Sequence, residues 1–394
     1  MRPAEATAPV AVALGGMLAL ASAMGIGRFV YTPILPSMLQ ALDFSKSEAG
    51  LIAAANFAGY LAGALSLTAF RRLPGGSWRW LVAALAAGAA LIAAMAAVDG
   101  PAAFALLRFA SGLASALVLV LGSALVLELL ARTDRGGWFA ALHFAGVGVG
   151  IVLSALVVPA CEAAGADWRT LWLASGAVAA ALAAGAAFLL RGARPRPHPV
   201  VPPAGSPPPA RSALAALTLC HGLFGFGYVV TATFLVAVVR ATPQTRPVEP
   251  LVWLMVGLAA IPSTALWSRM AVALGATRAY GLACAVEAVG VAAGGLWPGP
   301  AGVLLSAILL GATIMGITTL GFTVARGLVA PAHERRAFAL ITAGFGVGQM
   351  VGPVMAGALL DRTGGFAIPS LLAAGALGVA ALIAASGATH RPRS

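Results

Sequence analysis

Arg28, Tyr31, Thr32 and Leu35 fall at the i, i+3, i+4 and i+7 spacing that puts side chains on one face of a helix, within an apolar stretch beginning near Val10. Arg108, Ser111, Gly112 and Ser115 repeat that spacing in a later apolar stretch. A charge on a helix in hydrocarbon costs about 2.5 to 3.5 kcal/mol on insertion scales, so such residues turn toward a protein interior or a wet cavity. The guanidinium is a planar fork that pairs bidentately with carboxylate or phosphate, so the chemistry on offer is anion recognition. At about 1.5 Å per residue both arginines sit about 10 Å from the centres of their stretches, at similar height. The competing reading has each arginine satisfy backbone carbonyls, or reach outward along its long stem.

Other polar residues share helical faces with small ones. Asn56, Gly59, Tyr60 and Gly63 form one such stripe, and Gln349, Gly352, Pro353 and Ala356 another, a pattern that favours close helix packing with an amide bonded across the interface. His221, Gly225 and Tyr228 align along a third face, and Thr313, Gly316 and Thr323 lie along a fourth stretch. The candidate substrate-binding set is therefore Arg28, Tyr31, Thr32, Asn56, Arg108, Ser111, Tyr228 and Gln349. Coupling to a proton gradient needs a titratable group inside the protein, and His221, Glu287 and Glu128 are the candidates. Glu287 lies near the middle of its apolar stretch, whereas Glu128 sits near the end of one, beside Arg132. His143 reads as a packing residue.

Enzyme chemistry has little to work with. The single Lys, Lys46, is in no Gly-rich phosphate loop, and neither an H-E-x-x-H spacing nor a G-x-S-x-G elbow occurs. The three cysteines, Cys161, Cys220 and Cys284, are far apart, which argues against a disulfide framework or a zinc site. No cofactor, no metal and no catalytic residue is expected.

The elements that must position these side chains are membrane helices. The 394-residue chain is 60% hydrophobic and only 9% charged, with a mean hydropathy of +0.96, against roughly 25% charged in soluble domains. Its net charge of +12 does not point to nucleic acid, because scarcely any stretch would stay in water to present a basic face. Runs of about 20 apolar residues, enough for a bilayer core of about 30 Å, predict twelve spans. The first six cover about 10–35, 47–70, 78–98, 102–127, 137–160 and 169–190. The second six cover about 212–239, 250–270, 278–297, 301–327, 337–360 and 366–386. Residues 1–190 and 212–394 thus form two six-helix bundles, and the Pro- and Arg-rich segment 191–211 joins them as a solvated linker.

Orientation follows from the positive-inside rule. With the N-terminus inside, sixteen Arg fall on the inner side, and Lys46 with four Arg (Arg169, Arg240, Arg246, Arg362) on the outer, leaving Arg28, Arg108 and Arg326 within spans. Both termini are expected in the cytoplasm. Residues 1–23 mimic a signal peptide ending Ala21-Ser22-Ala23, but the apolar run continues to Leu35 and cleavage would destroy an internal repeat, so the segment is read as the first span.

That repeat has an offset near 200. Gly25-x-Gly27 matches Gly225-x-Gly227, and Gly59 stands to Arg71 as Gly257 stands to Arg269. Gly112 and Gly122 match Gly311 and Gly321, while Gly146, Gly148 and Gly150 match Gly344, Gly346 and Gly348. Six plus six spans with parallel half-repeats resemble the major facilitator superfamily over the whole chain. Arg108-Phe109-Ala110-Ser111-Gly112 is similar to its span-4 motif, and the Gly-rich spans 5 and 11, with Gly352-Pro353, to its Gly-Pro motif, whose central pair span 5 lacks. After span 2, Arg71-Arg72 remain of its loop motif without the usual Asp. The stretch Gly27-Arg28-Phe29-x-Tyr31-Thr32-Pro33-x-Leu35-Pro36 resembles the YbfB-like bacterial branch.

The resemblance implies an all-α fold of twelve transmembrane helices and a secondary transporter of the bacterial inner membrane working by alternating access. It also implies that helices 1 and 4 line the central cavity, so that Arg28 and Arg108 face a small organic, anionic solute. Proton-coupled efflux of hydrophobic compounds is the second expectation, and a non-transporting membrane receptor or scaffold with the same fold the third. The partners expected are the substrate, the lipid bilayer and protons as the coupling ion, with no nucleic acid, and the chain is expected to act as a monomer.

Overall fold

The computed structural model describes residues 9–69, 76–131, 133–193, 211–297 and 299–389. Among the described residues, twelve helices are long and apolar enough to cross a membrane. They are α1 (Pro9–Leu42), α2 (Lys46–Leu67), α3 (Ser77–Ala97), α4 (Pro101–Leu130), α5 (Gly136–Ala163) and α6 (Trp168–Leu190). They continue as α7 (Arg211–Ala241), α8 (Arg246–Leu274), α9 (Ala276–Leu296), α10 (Pro300–Leu328), α11 (Glu334–Thr363) and α12 (Ala367–Ala385). No strand occurs among the described residues. The predicted linker, Arg71-Arg72, Arg132 and the basic residues of the two ends lie wholly or largely outside the described residues.

Local chemistry sets the helix ends. Pro101 and Pro300 occupy the first turns of α4 and α10, where a missing N–H costs nothing. The Asp167 carboxylate caps α6 by accepting from Thr170 N (2.9 Å) and Thr170 Oγ1 (2.7 Å). These bonds, the hydroxyl's first, hold the exposed carboxyl below its ordinary range. At the end of α11, Gly364 takes the left-handed conformation that closes a helix.

Glycines let backbones touch, and they do so twice in the same way. In the first half a Cβ on Gly146 or Gly150 would strike the carbonyl of Met17 or Ala21 on α1. In the second half a Cβ on Gly344 would meet Thr218 O on α7 at 2.6 Å, and one on Gly348 would strike Gly222 O. Gly112 against Asn56 O and Gly311 against Val256 O form another equivalent pair. The matches at Gly59/Gly257 and Gly122/Gly321 are equivalent in sequence only. Gly59 packs on Phe109 of its own half, whereas Gly257 packs on Val152 across the boundary; Gly122 is near Leu81, whereas Gly321 is against His221.

The halves meet along α2 with α11, α5 with α8, and the second part of α1 with α7. Toward the face opposite the described ends they are pinned by polar contacts. Thr32 Oγ1 donates to Ala232 O (2.5 Å), and Arg240 of α7 reaches Glu162 of α5 through Nη1 (2.9 Å) and Nη2 (2.8 Å) and Ser37 of α1 through Nη1 (3.1 Å). The backbone N–H groups of Lys46 and Ser47 at the start of α2 donate to the Asp361 carboxylate (3.0 and 2.8 Å), as favours an anion at a helix N-terminus. Arg240 and Glu162 thus belong to helix ends, and their charges are spent between the halves.

Helix α1 departs most from expectation, for it runs on to Leu42 and is broken in the middle. Ala21–Ile26 forms one π-helical turn, with Gly27 N bonded to Ser22 O (2.9 Å), and residues 27–30 form a turn before helix resumes at Tyr31. Such widened turns interrupt the regular carbonyl ladder. Gly25 makes this one tolerable, because its Cα lies against Gly150 of α5 where a side chain would not fit.

Candidate substrate site

The break in α1 is where the site is built. Thr32 N bonds Phe29 O (3.2 Å) and not the carbonyl four residues back, which leaves Arg28 O free of the helix ladder. Buried carbonyls of this kind need partners. Arg108 supplies them: its Nη1 donates to Gly27 O (2.8 Å) and its Nη2 to Arg28 O (2.9 Å). Its own backbone carbonyl accepts from Asn56 Nδ2 (2.9 Å), so α1, α2 and α4 are tied at one level. The positions of the two arginines predict similar height on their helices; in the structure Arg108 spends both terminal nitrogens on the backbone that carries Arg28.

Arg28 is held differently. It is 4% exposed, and its Nε and Nη2 have no hydrogen-bond partner. Its guanidinium carbon lies 4.2 Å from the centre of the Tyr60 ring and 4.9 Å from that of Phe57, both on α2. Such contacts contribute about 0.5 to 2 kcal/mol, well short of the several kcal/mol a buried charge loses in leaving water. Neither Arg28 nor Arg108 has a carboxylate partner among the described ion pairs.

The second half closes over this charge. Gln349 of α11 donates through Nε2 to the Tyr228 hydroxyl of α7, and the charge of Arg28 acts on that hydroxyl across the boundary. Gln349 Oε1 is buried without a donor, as is Asn56 Oδ1. Phe224, Tyr228 and Phe345 stack with centroids 5.2 to 5.8 Å apart, making an apolar wall beside the polar pair. Arg28, Tyr60, Tyr228 and Gln349 therefore converge on one place between the halves.

The remaining candidates have other partners. The Tyr31 hydroxyl donates to Ala49 O (3.0 Å), and Thr32 bonds across to α7. Ser111 is buried one turn from Arg108. Glu128 is partly buried, about 30 Å along α4 from Arg108, too far to reach this site. His221 and Glu287 are fully buried within the second half: His221 Nδ1 lies 3.1 Å from the Tyr280 hydroxyl, and Tyr280, Cys284 and Glu287 stand at i, i+4 and i+7 on one face of α9. Both Glu287 oxygens lack a hydrogen-bond partner, while the neighbouring Thr313 hydroxyl donates to Leu309 O (2.6 Å).

Two site residues escape the sequence patterns. The small-residue stripe around Asn56 predicts packing, which hides Tyr60, and Phe57 belongs to no stripe at all. Their i, i+3 spacing is the available signal, because it stacks two rings on one helix face where a neighbouring cation can reach both.

Comparison with known proteins agrees with this architecture. A family model described as "Uncharacterised MFS-type transporter YbfB" matches residues 20–385. No curated protein matches the sequence. Among solved structures, that of the nucleoside transporter NupG is 16% identical and superposes with a TM-score of 0.68, covering 96% of this chain and 100% of that one. A point mutant of NupG gives 0.70 at the same 16% identity, over 95% and 99% of the two chains. At this identity the likeness establishes a shared twelve-helix fold.

Proposed function

The chain belongs to the YbfB family of MFS-type transporters, and on that footing we propose that it carries a small organic anion, with Arg28 as the group that holds the anionic end. The observation that carries this reading is the unpartnered, buried Arg28 guanidinium at the boundary between the halves. An uncompensated charge there costs several kcal/mol, and a bound carboxylate or phosphate removes that cost through charge-assisted bonds to Nε and Nη2. The rings of Phe57 and Tyr60 line the anion's surroundings, while the Gln349–Tyr228 pair offers a free amide oxygen to a donor on the solute.

In this reading the halves rock about the site, so that it faces each side in turn. The contacts at Thr32, Arg240 and Asp361 close the face opposite the termini, and the termini lie in the cytoplasm of an inner-membrane monomer. Proton coupling falls to the buried string from Glu287 through Cys284 and Tyr280 to His221, which links α9 to α7. Efflux of purely apolar compounds fits less well, since it leaves Arg28 unpaired.

Proteoliposomes test the proposal. A panel of carboxylated, phosphorylated and neutral solutes is offered under an imposed pH gradient, and uptake of an anionic member that Arg28→Ala abolishes is the expected result. Movement of neutral or apolar solutes alone would overturn the anion assignment, and binding without movement would make the chain a receptor.

A further inference from the structure

A second feature lies away from the substrate site, on the outside of the second half. Helices α7 and α11 cross where a Cβ on Gly222 would stand 3.1 Å from Gly344 O, and this close crossing floors a groove of 970 Å³. The groove points away from both the partner half and the site. On α11, Gly346, Pro353 and Gly357 face α2, and Gln349 faces Tyr228. Leu340, Val347 and Val351 lie on the other side, 42%, 54% and 51% exposed. On α7, Leu219 is 55% exposed, while Cys220 and Gly227 pack on α12.

The groove is apolar along its length and basic at one end. From Arg211 to Phe226 it follows α7 for about 22 Å at 1.5 Å per residue, more than one leaflet of a core about 30 Å thick. Arg211, His333 and Arg336 form its rim, and no acidic residue lines it. Neither arginine has a described ion-pair partner; nearby Glu334 is taken by Arg326 (3.4 Å). The rim lies at the face the charge bias assigns to the cytoplasm, where anionic lipids concentrate and basic pockets between helices hold their headgroups.

We propose that this α7–α11 groove is a binding site for an anionic phospholipid, with the headgroup phosphate between Arg211 and Arg336 and an acyl chain laid along Leu219, Val347 and Val351. Free phosphate compounds share the headgroup chemistry but leave the apolar length uncovered, so the lipid is the occupant that matches both ends.

The test uses the full chain in detergent, delipidated and then offered mixed micelles of phosphatidylglycerol or phosphatidylcholine, with bound lipid counted by native mass spectrometry. Two rim arginines predict a preference for phosphatidylglycerol of roughly 30-fold, lost in the Arg211→Gln/Arg336→Gln double variant. Val347→Trp fills the groove without touching the rim and should lower retention of both lipids. An unchanged preference in the double variant, or unchanged retention in Val347→Trp, overturns the site. Equal displacement of the lipid by soluble glycerol 3-phosphate would assign the rim to a free phosphate ligand instead. All variants alter exposed side chains, and their elution as folded protein is checked alongside.

Discussion

Glu162→Gln isolates the contact between halves at the face opposite the described ends. Arg240 is shared: its Nε reaches Glu249 of its own half (2.6 Å), and its two terminal nitrogens reach Glu162 of the other (2.9 and 2.8 Å). Replacing Glu162 therefore removes charge only across the boundary and leaves Arg240 paired. The side chains of Arg240 and Glu162 are 15% and 24% exposed, between the surface regime, where a pair contributes under about 1 kcal/mol, and the buried one, where breaking it costs about 3 to 5 kcal/mol. Two charge-assisted bonds of about 1.5 to 3 kcal/mol each, halved for solvent and less the neutral bond that the Gln oxygen still accepts, put the loss at about 1.5 to 2 kcal/mol. That energy belongs to the closed arrangement alone, so the ratio of closed to open molecules should fall roughly 10- to 30-fold. Spin labels on Cys substituted at Ala164 and Gln244, exposed on the loops beside the contact, in a background lacking the native cysteines, report it as growth of a long-distance population. A distance distribution identical in the parent and in Glu162→Gln would mean that this contact does not hold the halves closed.

Arg108→Ala should destabilise the protein by about 3 to 5 kcal/mol, since it strands the carbonyls of Gly27 and Arg28; thermal unfolding of purified protein checks this. Gly150→Leu should cost about 3 kcal/mol or more, because the obstacle is the α1 backbone at Gly25 and Ala21, whereas Gly88→Ala, with nothing within 4 Å, should be neutral in the same assay. Glu287→Gln should abolish solute accumulation driven by a pH gradient while sparing solute exchange at equal pH; loss of both, or of neither, in proteoliposomes would remove it from the coupling string.

Much of the fold was legible because the forces that set it are short in range. A bilayer demands about 20 apolar residues per span, and the twelve predicted runs match the helices except at α1, where two prolines and a turn disguise a span that continues to Leu42. The glycine repeat was legible where it marks contact with a neighbouring carbonyl, as at Gly150 and Gly348, and misleading at Gly59 and Gly257, where the same residue type faces different halves. The site was half legible. Arg28 stands out as a charge among apolar residues, but the partner that each arginine finds is a property of backbone geometry. The π-turn at Ala21–Ile26 is nowhere written as a motif, and it decides that Arg108 holds carbonyls while Arg28 is left with rings.

The most direct measurement is the thermal stability of purified Arg28→Ala against its parent, with and without anionic solutes. Ligand that binds the native state raises its apparent stability. Because Arg28 is buried with two nitrogens unpaired, Arg28→Ala should be at least as stable as its parent without ligand, and only the parent should be stabilised by a carboxylate or phosphate solute. Arg28→Lys, lacking the fork, should be stabilised less. A variant that unfolds several degrees lower without ligand, yet still responds to the same anion as its parent does, would contradict the assignment of Arg28 to the substrate.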